Sequence, residues 1–455
     1  MTRRLARVTD VYRRTAVSLL GSLGIQAMLL ISGILAARLL GVANRGHLAL
    51  YLLFVLVLSQ LAAWVLPLAT TYRIARDPTS ARATVKVVTV PALMQAGVAT
   101  WAHALILAAV FRDSSGSVQL AAALTLFATP AVVIHQYVLA VFQGQQRFRA
   151  FSIFRFMPSA VYSAGLIVTW VLHSHALVLV TGTWVASVVF TVCVEVVMML
   201  SRLPEVLLKE PAAPARGEML RFGLKGMLGG IAPLETFNLD QATVGLFVSP
   251  AALGLYVIGL SLTNLPQFLA QSVGYVAYPH VAGQQETRLA RRSMWRFFGA
   301  TFALSGAVIV VLEIAAPWLI TTLFGRSYAS SAQLTRILLI GALFIGLRRV
   351  LTDGARGAGH PTLGTLAELV SLGCLLPALA LLVASDGVQG AAWAVVLSSV
   401  VGLLFLLVTV AKAPSRVVPP ATRPARYPTS SVQTTGLPDG PHAPPPTDAP
   451  ARVDA

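Results

Sequence analysis

Charge is what this sequence has least of. Only 11% of its 455 residues are Asp, Glu, Lys or Arg, where a soluble domain averages roughly a quarter, and that shortage excludes a water-soluble globule. Cysteine is nearly absent. Cys193 and Cys374 are the whole supply, each inside an apolar run, so neither a disulfide framework nor a zinc ligand set can be assembled. Lysine is scarce as well, with Arg supplying 30 of the 34 basic residues, a bias that points to a GC-rich bacterial genome. The motifs G-x-x-x-x-G-K-[ST], H-E-x-x-H, G-x-S-x-G and C-x-x-C do not occur. With them go the usual ATP, zinc-hydrolase, serine-hydrolase and redox chemistries. No catalytic residue, cofactor or metal is expected, and any uphill work must draw on a gradient.

What the chain has in abundance is apolar surface, 56% of residues and a mean hydropathy of +0.75. A hydrocarbon core of ~30 Å takes about 20 apolar residues per helix. Runs of that length between charged or Pro/Gly breaks predict an all-α integral membrane protein of about twelve spans. They lie near 17–40, 47–70, 87–111, 118–141, 151–172, 175–200, 222–246, 251–276, 297–322, 333–356, 361–384 and 388–411. The first is too long for a signal-peptide core. The tenth carries Arg348, Arg349 and Asp353 in its second half.

A net charge of +17 would suggest nucleic acid in a soluble protein. Here its placement gives another reason. Alternate connections carry 29 and 5 basic residues, so the positive-inside rule puts both termini in the cytoplasm. Basic loops facing an anionic inner leaflet gain about 1 kcal/mol of attraction each. Bilayer lipids, not nucleic acid, are the expected partners, and the expected location is a bacterial cytoplasmic membrane. Residues 413–455 differ in kind, with eleven prolines and few large apolar residues. They read as a disordered cytoplasmic tail, with PxxP-like docking of a partner as the alternative.

The long basic loop 202–221 divides the spans into six and six, giving bundles 1–206 and 207–412 ahead of the tail. Six is even, so both halves enter from the same side and any repeat is parallel. Ala37 to Tyr51 can be laid on Ala242 to Tyr256, matching Leu48, Leu50 and Tyr51 to Leu253, Leu255 and Tyr256. Both stretches follow the first span of their half.

The run Ala37-Arg38-Leu39-Leu40-Gly41 with Gly46 resembles the "ARxLG…G" turn of polysaccharide flippases in the multidrug/oligosaccharidyl-lipid/polysaccharide exporter superfamily. Phe142-Gln143-Gly144-Gln145-Gln146-Arg147, Leu220-Arg221-Phe222-Gly223-Leu224, Asp240 to Pro279 with Gly254-Leu255-Tyr256, and Phe324-Gly325 with Tyr328 are similar to further stretches of that family. The likeness covers about 1–411. One departure is Lys225, where the family usually has Pro. The resemblance implies a V-shaped pair of six-helix bundles around a central cavity. That cavity would open alternately to either side and carry polyprenyl-linked saccharides across the bilayer.

A charge near the bilayer centre is costly and faces protein or water, so intramembrane polar groups are the candidate site. Glu235 and Asp240 lie in the seventh span with Asn238 between them, after Gly229, Gly230 and Pro233, which loosen the helix. They suit a cation or proton site, or equally pair with buried donors. At 100° per residue they diverge by about 140° and are not a metal pair. Arg38 ends the first span on the sparsely basic side. It either binds phosphate through its guanidinium fork, as the resemblance implies, or snorkels to headgroups. Arg348 and Arg349 either receive a pyrophosphate or hold structure, Arg349 pairing with Glu368. His135, beside Gln136, is a proton relay or a satisfied core histidine. Glu195 and Glu313 read as interhelical hydrogen-bonding residues.

The leading expectation is a flippase for undecaprenyl- or decaprenyl-pyrophosphate-linked oligosaccharide, with Arg38, Arg348 or Arg349 on the substrate and Glu235, Asp240 or His135 coupling a cation. A cation-coupled drug exporter and a non-transporting scaffold for glycan assembly, recruiting polysaccharide-assembly proteins through its C-terminal tail, are the alternatives.

Overall fold

The protein is described here by a computed structural model, in which residues 2–63, 65–202, 217, 219, 221, 238–284 and 286–412 are described. Helices α1 (Thr2–Ala62), α2 (Leu66–Arg76), α3 (Ala81–Val110), α4 (Gly116–Leu124), α5 (Ala128–Gly144), α6 (Phe148–Val171) and α7 (Leu177–Ser201) precede the stretch 203–237. After it come α8 (Leu239–Thr243), a π-turn over Val244–Val248, α9 (Pro250–Ala282), α10 (Thr287–Leu323), α11 (Ser331–Gly357) and α12 (Pro361–Lys412). No strand occurs among the described residues. Eight of the described helical stretches are long and apolar enough to cross a membrane. The protein is therefore a multi-pass membrane protein.

Two of those eight stretches each supply two of the expected spans, because each is folded at a glycine. At Gly41 φ is 68° and ψ is −179°, a region open only to glycine. Residues on either side of the break, Gly33 and Leu52, line one cavity, so the arms lie side by side. At Gly387 φ is 56° and ψ is −126°. Gly390 lies against the Leu382 carbonyl, and Gly402 against Ser371 and Ala367, so these arms run antiparallel.

The expected second span, 47–70, ends earlier, at Ala62. A new helix starts at Leu66 with Pro67 in its first turn, a place proline accepts because that N–H has no intrahelical acceptor. The seventh span, with Lys225, Gly229, Gly230, Pro233 and Glu235, lies outside the described residues except for its end. That end begins at Asn238, left-handed at φ 45°. The tail 413–455 also lies outside.

Helix α11 is not among the eight apolar stretches. It tolerates its charges because protein encloses it: Arg348 is only 2% exposed, and Leu338, Leu347 and Leu351 are buried around the same helix. A guanidinium in hydrocarbon needs such a surround.

Apolar packing differs between the two ends of the molecule. Near the basic loops the cores are separate. One gathers Ile74, Val138, Phe142, Phe154 and Met199, another Val281, Met294, Leu351, Leu406 and Val410. Met219, beyond the expected boundary at 206, packs with Val88, Val133 and Tyr137 of the first half. At the opposite end one core joins Leu48, Tyr51 and Leu166 to Leu253, Tyr256, Leu338 and Leu379. A second joins Ala37 to Ile258, Ile320, Phe324 and Tyr328.

Backbone meets backbone at this shared end. A Cβ on Gly46 would collide with the carbonyl of Pro250, and one on Gly254 with that of Val42. Hydrogen bonds continue the seam. Arg38 donates from Nε to Leu323 O (2.8 Å) and from Nη2 to Thr322 O (2.5 Å), using carbonyls left free at the end of α10. Tyr328 Oη donates to Ala37 O at 3.1 Å. Gly254→Val should force the helices apart and lower stability by roughly 1–3 kcal/mol, read as a fall in melting temperature in detergent. Gly97→Ala, with nothing within 4 Å of the added carbon, should leave the melt unchanged or slightly raised.

Candidate functional site

Four residues past the Gly41 break, Arg45 points from the second arm of α1 back toward the first. Leu48 and Leu52 follow it at helical spacing, and all three line a cavity of about 150 Å³ with Ser32, Gly33, Ser159, Tyr162 and Trp184. The walls are the two arms of α1 together with α6 and α7. Arg45 Nε and Tyr162 Oη are both buried there without a hydrogen-bond partner. An unsatisfied buried donor costs about 1–3 kcal/mol, more if charged. A guanidinium and a phenol turned into one cavity therefore offer strong donors to an anion. The glycine next in sequence, Gly46, is the one pressed against Pro250, so this cavity adjoins the seam.

Glu235 lies outside the described residues, and the other residues expected from sequence make separate sets of contacts. Arg38 is exposed and committed to the carbonyls of Thr322 and Leu323. Arg348 is buried and pairs with Glu368 (Nη2 to Oε1, 2.9 Å), while its Nη1 donates to Ser371 Oγ at 2.5 Å. Arg348 thus reaches the same Glu368 that was expected to pair with Arg349. Position 348 follows Gly341 by seven residues, and Gly341 packs on Val396 of α12. Arg348 therefore shares the face turned to α12, and half-buried Arg349 is rotated about 100° from it.

Asp240, on the short helix α8, accepts from Tyr256 Oη at 2.7 Å. The matched tyrosine of the first half, Tyr51, is equally buried and donates to Val118 O at 2.9 Å. His135 Nδ1 lies 2.9 Å from both carboxylate oxygens of Glu195. Glu313 is 3.9 Å from Arg336 Nε. Among the described residues no cluster of His, Cys, Asp and Glu is arranged to hold a metal.

Arg45 was counted in the sequence only as one of five basic residues on the sparsely basic side. The signal that singled out Arg38, a guanidinium where the positive-inside rule does not call for one, applied to it equally.

Helical hairpins bent at glycine, a shared core at one end and separate cores at the other define the fold of this membrane protein. It is similar to lipid II flippase MurJ in an inward closed conformation (TM-score 0.69, 12% identity, 88% of each chain covered). It also resembles an inward-facing multidrug resistance MATE family transporter of the MOP superfamily (TM-score 0.64, 15% identity, 85% of this chain and 95% of that one). A MOP superfamily transporter from Pyrococcus furiosus gives a TM-score of 0.61 at 14% identity, over 88% and 94% of the chains. At these identities the likeness is one of fold. No curated protein matches in sequence. Residues 34–333 match the polysaccharide biosynthesis protein family, and the chain belongs to it.

Removing one partner of the Arg348–Glu368 pair leaves a buried charge uncompensated. Glu368→Ala should cost roughly 3–5 kcal/mol, whereas the double change Arg348→Met with Glu368→Leu should recover most of that loss. Thermal melts of the three proteins make the comparison.

Proposed function

We infer that this protein is a flippase that carries polyprenyl-pyrophosphate-linked oligosaccharide from the inner to the outer leaflet of a bacterial cytoplasmic membrane. One observation carries the reading: the guanidinium of Arg45, unpartnered at Nε, faces a cavity beside the seam between the two halves. An anionic head group entering from the side with basic loops would meet it at the closed end of the path. The bundles 1–206 and 207–412 would then rock about the seam, the shared core parting as the separate cores close.

Each part takes a role in this cycle. Arg45 and Tyr162 hold the phosphate oxygens. Arg38 locks the outer seam until its bonds to α10 break, and Arg348 keeps α11 on α12. Asp240, bonded to Tyr256, and Glu235 serve ion coupling in the second half. An inside-negative potential of 100 mV favours outward movement of anionic charge by ~2.3 kcal/mol per unit, so a doubly charged head would gain about twice that. A cationic drug would be repelled by Arg45, which sets the drug-exporter reading behind this one. Both termini face the cytoplasm, and transport does not depend on the tail.

Deletion of the gene should accumulate lipid-linked glycan on the inner leaflet. Arg45→Gln should reproduce most of that accumulation, and Arg45→Lys should restore part of it as a point charge without the planar fork. A chain ending at Lys412 should retain most of the activity, whereas a scaffold acting through its tail would lose its function. A deletion strain with an unchanged glycan pool and normal surface polysaccharide would refute the flippase assignment.

A further inference from the structure

A second polar site lies inside the first half, away from the Arg45 cavity. On α5, His135 follows Ala131 by one turn. On α7, Glu195 follows Val192 and Thr191 at helical spacing. Ala131, Val188 and Val192 form an apolar layer on one side of the pair, and Val138, Phe142 and Met199 form another on the other side. Glu195 is fully buried between these layers, and the His135 side chain is 17% exposed. The titratable group that faces Glu195 is His135.

Other ionisable groups stand on the elements packed against α5, among them Arg82 and Lys86 on α3 and Arg149 on α6. His103 Nδ1 on α3 is 2.7 Å from Thr129 Oγ1, Tyr137 on α5 donates to Gln95 Oε1, and Arg155 on α6 lies over the Phe151 ring. On α2, Arg76 meets Tyr72, and Arg73 sits in the last turn with it. The second arm of α1, from residue 46 to 62, brings no acidic or basic side chain other than His47.

The geometry of the pair fixes its proton arithmetic. An imidazole Nδ1–H donating to a carboxylate leaves the pair with one negative charge. A proton bonding to Nε2 makes imidazolium and carboxylate, with no net charge, and the same N–H breaks on release. Burial between two apolar layers makes these two states differ in how well they suit the site. The pair lies near the basic end of the molecule: Glu195 is six residues, about 9 Å, from the end of α7, and His135 nine residues, about 14 Å, from the end of α5.

One helix links this site to the anion cavity. Trp184 lines the cavity with Arg45 and Tyr162, and it also packs against the Ala131–Val188–Val192 layer. Glu195 is eleven residues further along the same helix, about 16 Å. We propose that His135 and Glu195 form a proton-exchange site, loaded from the basic side, whose occupancy shifts the protein between its two conformations through α7. The site would make the proton gradient a driving force for the cycle inferred above.

The test needs no substrate, so its failure and the failure of the flippase assignment can be told apart. Spin labels at Ser201→Cys and Ala358→Cys, in protein carrying Cys193→Ala and Cys374→Ala, report the separation of the inner ends of α7 and α11 in lipid nanodiscs. Between about pH 5.5 and 8.5, the ratio of the two distance populations should change about tenfold. In Glu195→Gln and in His135→Asn it should change less than twofold. A flat wild-type profile, or variants that keep the full pH dependence, would overturn the proposal. Should Glu195→Gln fail to fold, His135→Asn carries the same comparison, and should both fail, His135→Gln, which keeps a polar partner for Glu195, replaces them.

Discussion

Where Gly46 passes Pro250 and Gly254 passes Val42, two helices approach until only main-chain atoms separate them. Without a hydrophobic drive between helices in lipid, association depends on close packing and on small residues that permit it. Everything at the seam follows from that approach. It brings the free carbonyls of α10 within reach of Arg38 and the hydroxyl of Tyr328 within reach of Ala37. Near the basic loops the cores of the described residues are separate, and the shared core lies at the seam.

Glycine serves two opposite purposes here. At Gly41 and Gly387 it supplies backbone angles that other residues avoid, which lets one continuous helix become a hairpin with no connecting loop. At Gly46 and Gly254 the angles are helical and the missing side chain matters instead. The first kind sets the path of the chain, and the second sets how closely the halves meet. Arg45 sits between Gly41 and Gly46 and depends on both.

The spans that fall within the described residues were legible in the sequence because about 20 apolar residues in a row admit one structure in a membrane. Even the tenth, α11, fell where expected. Its charges signalled protein surroundings, and the buried Arg348 shows what they were for. The choice between Arg348 and Arg349 was not legible, since neighbours differ by 100° of rotation and only the partner helix decides which is inside. The second span was drawn too long because Ala62 to Thr70 stays apolar across Pro67. Arg45 was missed for a different reason. Its importance lies in having no partner, and that property appears only once the surrounding side chains are in place.

The buried cations divide by whether their charge is answered. Arg348 meets Glu368 and Ser371 and is spent on holding two helices together. His135 meets Glu195, but an imidazole can give up its proton where a guanidinium cannot, so that pair can change charge while the Arg348 pair cannot. Arg45 Nε, like Arg73 Nε, is buried with no acceptor among the described residues. A buried donor without a partner carries a desolvation cost. At Arg45 that unmet donor faces a cavity, where an anion would relieve it.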